Sequence, residues 1–484
     1  MDKTEILQTL AKEREAVLRG DAERIARQHA QGKCTARERV SKLFDDGSFV
    51  EIDALKADSH LTAGCGTVNG QAVYCFAQDF ASCGGAMGRA QAEKILKVLH
   101  KAQVTGAPVV ALLDSAGVKI SEGQAALPAY AEILSAMARL SGVCPLIVGV
   151  MGPCNGAAAL MTQLADIAIQ VKKGEIALHT ALVMNSEKGK EKTAEQLFGP
   201  ETMARQGAVA LTADTEEDAA ALIAALIDLL PGSNMEDAPL LLDTDDLNRA
   251  LVCEDAEDVS ALIADLADEG KVIELYRDHG PSVRTALVRM GGRTVGIVAN
   301  DHAVKEGRLC ACSARKAARF VRLCDCYQIP VVSLVNTDGI AVPPEDKQGQ
   351  FLRGAADLLY AYAEATAPKI AVITGNAVGA AYIAMGGKSI ADVSYAWPAA
   401  MIAPLTRETA VQTLDGEKLS AGESREALEE AYAASCGALA AAQAGIVDDV
   451  IAPAETRKYI LAALELLATK HDVNLPKKHG NLPL

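Results

Sequence analysis

Three blocks of this chain recur at almost one spacing, and that recurrence constrains the fold more than any single motif. Residues 108–117 read PVVALLDSAG and residues 330–339 read PVVSLVNTDG, an offset of 222. The stretch from Gly70-Gln-Ala-Val to Asp79 recurs from Gly292-Arg-Thr-Val to Asp301, again 222 apart. Pro145-Leu-Ile-Val leads after eleven residues to Gly156-Ala157-Ala158, and Pro368-Lys-Ile-Ala leads after eleven to Gly379-Ala380-Ala381, an offset of 223. Constant register over so long a span predicts two copies of one α/β plan.

Each copy predicts a hairpin (63–79 and 285–301), with Asn69-Gly70 or Gly291-Gly292 at its turn. A helix (88–103, 314–327) then precedes an apolar strand (108–113, 330–335) that lacks polar alternation, as a strand buried on both faces does. A second helix (125–141, 350–366) leads to another buried strand (146–151, 369–374), which ends in the Gly-Ala-Ala turn that opens a helix. The expected organisation is an N-terminal helical segment (1–50), a first domain (51–235), a linker rich in Pro, Gly and acidic residues (236–257), a second domain (258–470) and a tail (471–484).

Composition narrows the function. With 47 basic and 63 acidic residues the net charge is −16, which argues against nucleic acid or an anionic membrane surface as the main partner. Aromatic residues make up 4% of the chain, with one Trp, so stacking platforms are not expected. Twelve cysteines without a C-x-x-C suggest reduced, mostly buried thiols in a cytoplasmic protein rather than a disulfide framework or a zinc site. Residues 1–19 alternate charges and do not read as a signal peptide. The longest apolar tract, 144–161, is broken by Gly149, Gly152, Pro153 and Asn155 and reads as a buried strand feeding a turn.

The repeated turns carry the chemical signal. Small residues at a strand-to-helix junction let a ligand approach the backbone, where the first helical N–H groups have no partner within the helix. Two such groups aimed at one point stabilise an enolate or tetrahedral oxyanion without a side chain. Close helix–strand packing selects the same residues, so the turn alone leaves both readings open. Gly84-Gly85-Ala-Met-Gly88-Arg89 before a helix, with Lys94 beyond, suits a pyrophosphate, and equally a plain turn with solvated cations. Other signatures fail. Gly386-Gly387-Lys388-Ser389 has Tyr382 where a P-loop needs Gly, there is no GxGxxG unit or G-x-S-x-G elbow, and no metal-binding histidine pair occurs. His179, in an apolar stretch, is expected to be a core histidine.

At these residues the chain resembles the carboxyltransferase subunits of biotin-dependent acyl-CoA carboxylases and decarboxylases, such as propionyl-CoA carboxylase beta and methylmalonyl- or glutaconyl-CoA decarboxylase alpha subunits. The resemblance runs through RIARQHAQGKCTARERV (24–40), Asp46-Gly-Ser-Phe, Ala77-Gln78-Asp79-Phe80, Asp114-Ser115-Ala116-Gly117, Met151-Gly152-Pro153-Cys154-Asn155-Gly156, Ala396-Trp397-Pro398 and Lys478-His-Gly-Asn. It implies a tandem duplication of a crotonase-like domain. The first half would bind the CoA ester, with Gly84, Gly85, Arg89, Lys94, Ala116 and Gly117 near the CoA and an enolate oxygen on the N–H groups of Gly156, Ala157 and Ala158. The second half would bind biotin, with Val378 and Tyr382 beside it and its ureido oxygen on the N–H groups of Gly379, Ala380 and Ala381. It further implies a homo-oligomer, a trimer of face-to-face dimers, whose sites lie between halves of different subunits. With no Ala-Met-Lys-Met attachment site in the chain, biotin would arrive on a separate carrier protein. A biotin carboxylase subunit or a membrane sodium-pump decarboxylase subunit would be the further partner, the latter placing the protein at the inner face of the membrane. The same turns would also serve a biotin-independent CoA-thioester hydratase or hydrolase, or persist in a scaffold subunit. The chain departs from the family pattern at Ala116-Gly117-Val118-Lys119, at both Gly-Ala-Ala turns, at Asn336-Thr337-Asp338-Gly339 and after Ala396-Trp397-Pro398, where acyl group and biotin would meet.

Overall fold

A computed structural model describes residues 3–483 except 57, 190, 243 and 244. It divides into two compact units, Met1–Asp237 and Ala238–Leu484. The second begins inside the segment expected to be a linker. There the Leu241 N–H donates to Gly292 O (3.0 Å) and the Leu251 N–H to Ala454 O (2.9 Å), while Arg249 pairs with Asp265, so this stretch belongs to the second unit.

In the first unit an eight-stranded sheet has the short edge strand Val50–Glu51 and then the antiparallel pair Leu61–Val68 and Gln71–Gln78. It continues in parallel through Val109–Ser115, Leu146–Asn155 and Ile167–Val171. The second unit repeats this with Val283–Met290 and Arg293–Asn300, then Val331–Thr337, Lys369–Val378 and Val393–Ala396. Helices Arg89–Thr105 and Ala126–Leu140 form the crossovers in the first unit, Ala311–Cys326 and Gln348–Glu364 in the second. Both central strands are buried along their whole length, as their unbroken apolar runs require.

The repeat extends to an irregularity. In the first unit Leu113 pairs with Val150 but Ser115 pairs with Cys154; in the second Val335 pairs with Ile373 but Thr337 with Ala377. Each slip makes room for a side chain. A Cβ on Gly152 would lie 2.1 Å from Asp114 Oδ1, and one on Gly375 2.3 Å from Asn336 Oδ1.

An N-terminal segment without a counterpart in the second unit packs on the first. Asp21 caps the helix Ala22–Ala30, and Thr35 with Glu38 forms a capping box on Ala36–Leu43. No helix among the described residues is long and apolar enough to cross a membrane. All twelve cysteines are free thiols; four are buried and three exposed, so the expectation of mostly buried thiols does not hold. His179 is likewise exposed rather than in the core.

Candidate active site

Each parallel strand pair delivers a loop and a helix start to the same end of the sheet. In the first unit Gly156 (φ +63°) opens the turn 156–158, which continues into the helix Ala159–Leu164. In the second, Gly379 (φ +56°) opens the helix Gly379–Ala384. Ala158 and Ala381 are fully buried, whereas Ala157 is half-buried and Ala380 exposed. A Cβ on Gly156 would meet nothing within 4 Å, so this turn borders open space.

Against each turn lies a loop held from behind. The Ala116 N–H donates to Gly84 O (2.9 Å), the Met87 N–H to Gly117 O (2.9 Å) and the Lys119 N–H to Met87 O (2.8 Å). In the second unit the Asp338 N–H donates to Glu306 O (3.0 Å), the Leu309 N–H to Gly339 O (3.0 Å) and the Ala341 N–H to Leu309 O (2.9 Å). Ser115 Oγ donates to Gly85 O at 2.7 Å and accepts from the Gly117 N–H at 3.0 Å; Thr337 Oγ1 accepts from the Gly339 N–H at 3.2 Å. Gly85 and Gly307 allow this approach, since a Cβ on either would lie 2.1 Å from the carbonyl oxygen of Asp114 or Asn336. The Gly117 Cα comes close to Asn155 O, with an added Cβ 3.3 Å away, so loop and turn do meet. The N–H groups of Ala116 and Gly117 are nevertheless committed within the chain.

Arg89 and Lys94 both have partners within the chain. The helix start at Arg89 already has its anion: the Arg89 N–H donates to Glu122 Oε2 at 2.8 Å, which holds the Glu122 carboxyl below its ordinary range. The Arg89 guanidinium is paired with Glu93 (3.0 Å) and Glu132 (2.7 Å). Lys94 is only 1% exposed; its Nζ donates to Leu61 O and pairs with Glu51 at 3.1 Å. Burial lowers its pKa, and Glu51 opposes the shift. Val378 is buried, and the Tyr382 hydroxyl accepts from the Lys388 N–H at 3.2 Å.

A buried charge cluster went unseen in the sequence. Asp114 accepts from Lys33 Nζ (2.8 Å), Arg39 Nη2 (2.8 Å) and Gln28 Nε2 (2.9 Å). Arg39 also grips Glu216 through two nitrogens, at 2.9 and 2.8 Å. Beside it Lys33, Phe80, Pro153, Lys172 and Lys173 line a cleft of about 430 Å³. Asn336, at the equivalent position, instead accepts from the Asn376 N–H at 2.9 Å. The signal was present in the alternating charges of residues 33–39, but nothing local in them names Asp114 as their partner.

A family model described as carboxyl transferase domain matches residues 27–482. The chain belongs to the carboxyl transferase family. The carboxyl transferase relatives include a methylmalonyl-CoA decarboxylase subunit alpha from Veillonella parvula, 38% identical over 96% of each chain. A methylmalonyl-CoA carboxyltransferase 12S subunit from Propionibacterium freudenreichii subsp. shermanii is 37% identical, over 99% of this chain and 97% of that one. The crystal structure of a transcarboxylase 12S, described as a hexamer assembly with methylmalonyl-coenzyme A and methylmalonic acid bound, superposes with a TM-score of 0.95 at 34% identity. The match covers 100% of this chain and 99% of that one. The two units therefore form the tandem crotonase-like α/β fold of a carboxyl transferase.

Proposed function

We propose that this chain moves a carboxyl group between an acyl-CoA and biotin presented on a separate carrier protein. The observation that carries the reading is the duplicated turn. Two glycine-opened helix starts, at Gly156 and Gly379, are set by the same register slip and the same bracing loop. In the first unit the N–H groups at Gly156, Ala157 and Ala158 would face the thioester oxygen, where negative charge develops as the α-carbon exchanges its carboxyl group. The positive end of a helix stabilises that charge without reorganising. In the second unit the exposed Ala380 leaves the helix start open to a flat, neutral ring such as biotin's ureido group. Biotin, when bound, supplies the nitrogen that carries the carboxyl group; the protein orients the partners and holds charge.

The substrate class follows the relatives named for methylmalonyl- and propionyl-CoA, with malonyl- and glutaconyl-type esters as further candidates. A homo-hexamer built as a trimer of dimers accords with the hexamer described for transcarboxylase 12S. The test is carboxyl transfer from methylmalonyl-CoA to free biotin across a panel of CoA esters, with and without avidin. Avidin-sensitive transfer by a hexamer is the expected result. Ester turnover indifferent to avidin would overturn the reading in favour of a biotin-independent CoA enzyme.

A further inference from the structure

The two copies cap their first crossover helix in opposite ways. At the offset of 222, Gly88 and Glu122 of the first unit correspond to Cys310 and Pro344 of the second. The second helix, Ala311–Cys326, is capped from its own chain: Cys310 Sγ accepts from the Ser313 N–H at 3.4 Å, and Ser313 Oγ accepts from the Cys310 N–H at 2.9 Å. Pro344 has no side-chain acceptor to add. In the first unit position 88 has no side chain, and a carboxylate from across the loop takes the space. A Cβ on Gly88 would lie 2.1 Å from Glu122 Oε1. Glu122 Oε2 accepts from the Arg89 N–H at 2.8 Å, and Oε1 pairs with Lys119 Nζ at 3.1 Å. The bond from the Arg89 N–H, helped by Lys119, holds this carboxyl below its ordinary range, so the contact is formed at neutral pH.

Up to residue 119 the two loops are held alike. The Lys119 and Ala341 N–H groups donate to Met87 O and Leu309 O, at 2.8 and 2.9 Å. Beyond it the first loop is tied back to the helix by Glu122, where the second has Pro344. Ile120, between Lys119 and Glu122, is 89% exposed, so its side chain adds no packing to hold this stretch. The same loop reaches the candidate site at Gly117, where an added Cβ would lie 3.3 Å from Asn155 O.

We propose that Glu122 is a positioning residue of the first site: its carboxylate latches residues 119–122 to the start of the helix Arg89–Thr105, and so fixes the Ala116–Lys119 loop against the strand end at Asn155. The inference rests on the reading that this loop borders the CoA ester.

The test measures carboxyl transfer from methylmalonyl-CoA to free biotin by the full chain and by Glu122→Ala, Glu122→Gln, Gly88→Ser and the double variant Gly88→Ser with Glu122→Ala. Glu122→Ala is expected to lower kcat about tenfold or more, the cost of a site wall set slightly out of place. Glu122→Gln keeps an oxygen for the Arg89 N–H and is expected to restore most of the rate, which a residue that moves a proton would not allow. Gly88→Ser drives the carboxylate out of its place, while the new hydroxyl caps the helix locally, as Cys310 does. It is expected to be as slow as Glu122→Ala yet to unfold no earlier than wild type, which a loss through stability alone would not permit. The double variant is expected to be no slower than either single one, because both break one contact; independent effects would multiply to about hundredfold. Trypsin cleavage after Lys119 reads the latch without any activity, and is expected to be faster in Glu122→Ala and Gly88→Ser and unchanged in Glu122→Gln. In an active enzyme, full kcat or unchanged cleavage in Glu122→Ala, a Gln variant as slow as the Ala variant, or losses that multiply in the double variant overturns this inference alone. A wild type that turns over no CoA ester overturns the functional reading and this inference together, whatever the cleavage pattern.

Discussion

Replacing Asp114 by Asn is expected to loosen the N-terminal segment from the first unit, and the structure sets the size of the effect. The four charged members are almost wholly removed from water, with side-chain exposures of 6% for Lys33, 2% for Arg39, 0% for Asp114 and 9% for Glu216. Two cations face two carboxylates, so the cluster is neutral as a whole. Asn at 114 keeps the shape but leaves two buried cations with Glu216 alone. Breaking a buried pair from one side costs about 3–5 kcal/mol, because the remaining charge is left unanswered. For a unit of this size that lowers the unfolding midpoint by roughly 10 °C. The second unit supplies an internal reference: Asn336 is accommodated at the same position, where Asn376 takes the place of the cations. Restoring neutrality should therefore restore stability. Asp114→Asn combined with Lys33→Met leaves Arg39 with Glu216, and should regain most of the loss apart from the contact of Lys33 with the Phe80 ring at 4.6 Å. Calorimetry on the three variants, with limited proteolysis within the first 43 residues, measures both effects. A midpoint unmoved by Asp114→Asn, or a double variant less stable than the single, would refute the argument.

Lys316, the counterpart of Lys94, has no carboxylate in ion-pair range among the described residues and donates to Tyr276 O at 3.2 Å; burial lowers its pKa to about 8. Lys316→Met should thus stabilise the protein by about 2 kcal/mol below pH 8, after allowing for the lost hydrogen bond. Between about pH 8 and the unfolded value near 10.4 the unfolded chain holds a proton that the native one has shed, so wild-type stability rises with pH. The gain should shrink over that window, and a gain independent of pH in denaturant titrations would contradict this account. Ala157→Pro and Ala380→Pro each remove one N–H at a helix start that tolerates proline. Each should lower turnover about 10²–10³-fold with oligomer size and circular dichroism unchanged, and full activity in a folded variant would disprove the role of that turn.

Much of the fold was legible because the apolar runs repeat. The strand expected at 108–113 is Val109–Ser115, and the helix expected at 125–141 is Ala126–Leu140. The strand expected at 146–151 runs on to Asn155, since Gly152-Pro153, which reads as a turn, is the slipped part of the strand. At the candidate site the sequence foretold the backbone turns and little of the side chains around them. Gly156 and Gly379 announce themselves by their spacing from Pro145 and Pro368. The partners of Arg89 could not be read locally, since Glu122, which accepts from its backbone N–H, lies 33 residues further along and Glu132, which pairs with its guanidinium, lies 43. Asp114 was missed as a cluster for the same reason, since its partners lie 75 to 86 residues away.

The slip that both units carry has a parity. It advances the long strand by two residues past its neighbour, from Val150 opposite Leu113 to Cys154 opposite Ser115, and equally from Ile373 to Ala377. An even shift leaves the pleat in phase, so residues beyond it face the same side of the sheet as they would have without it. A shift of one would turn the strand end over and present the helix start to the opposite face. The loop that braces Gly117 or Gly339 could then not meet it. Between residues 150 and 156, and again between 373 and 379, chain length is therefore quantised in steps of two.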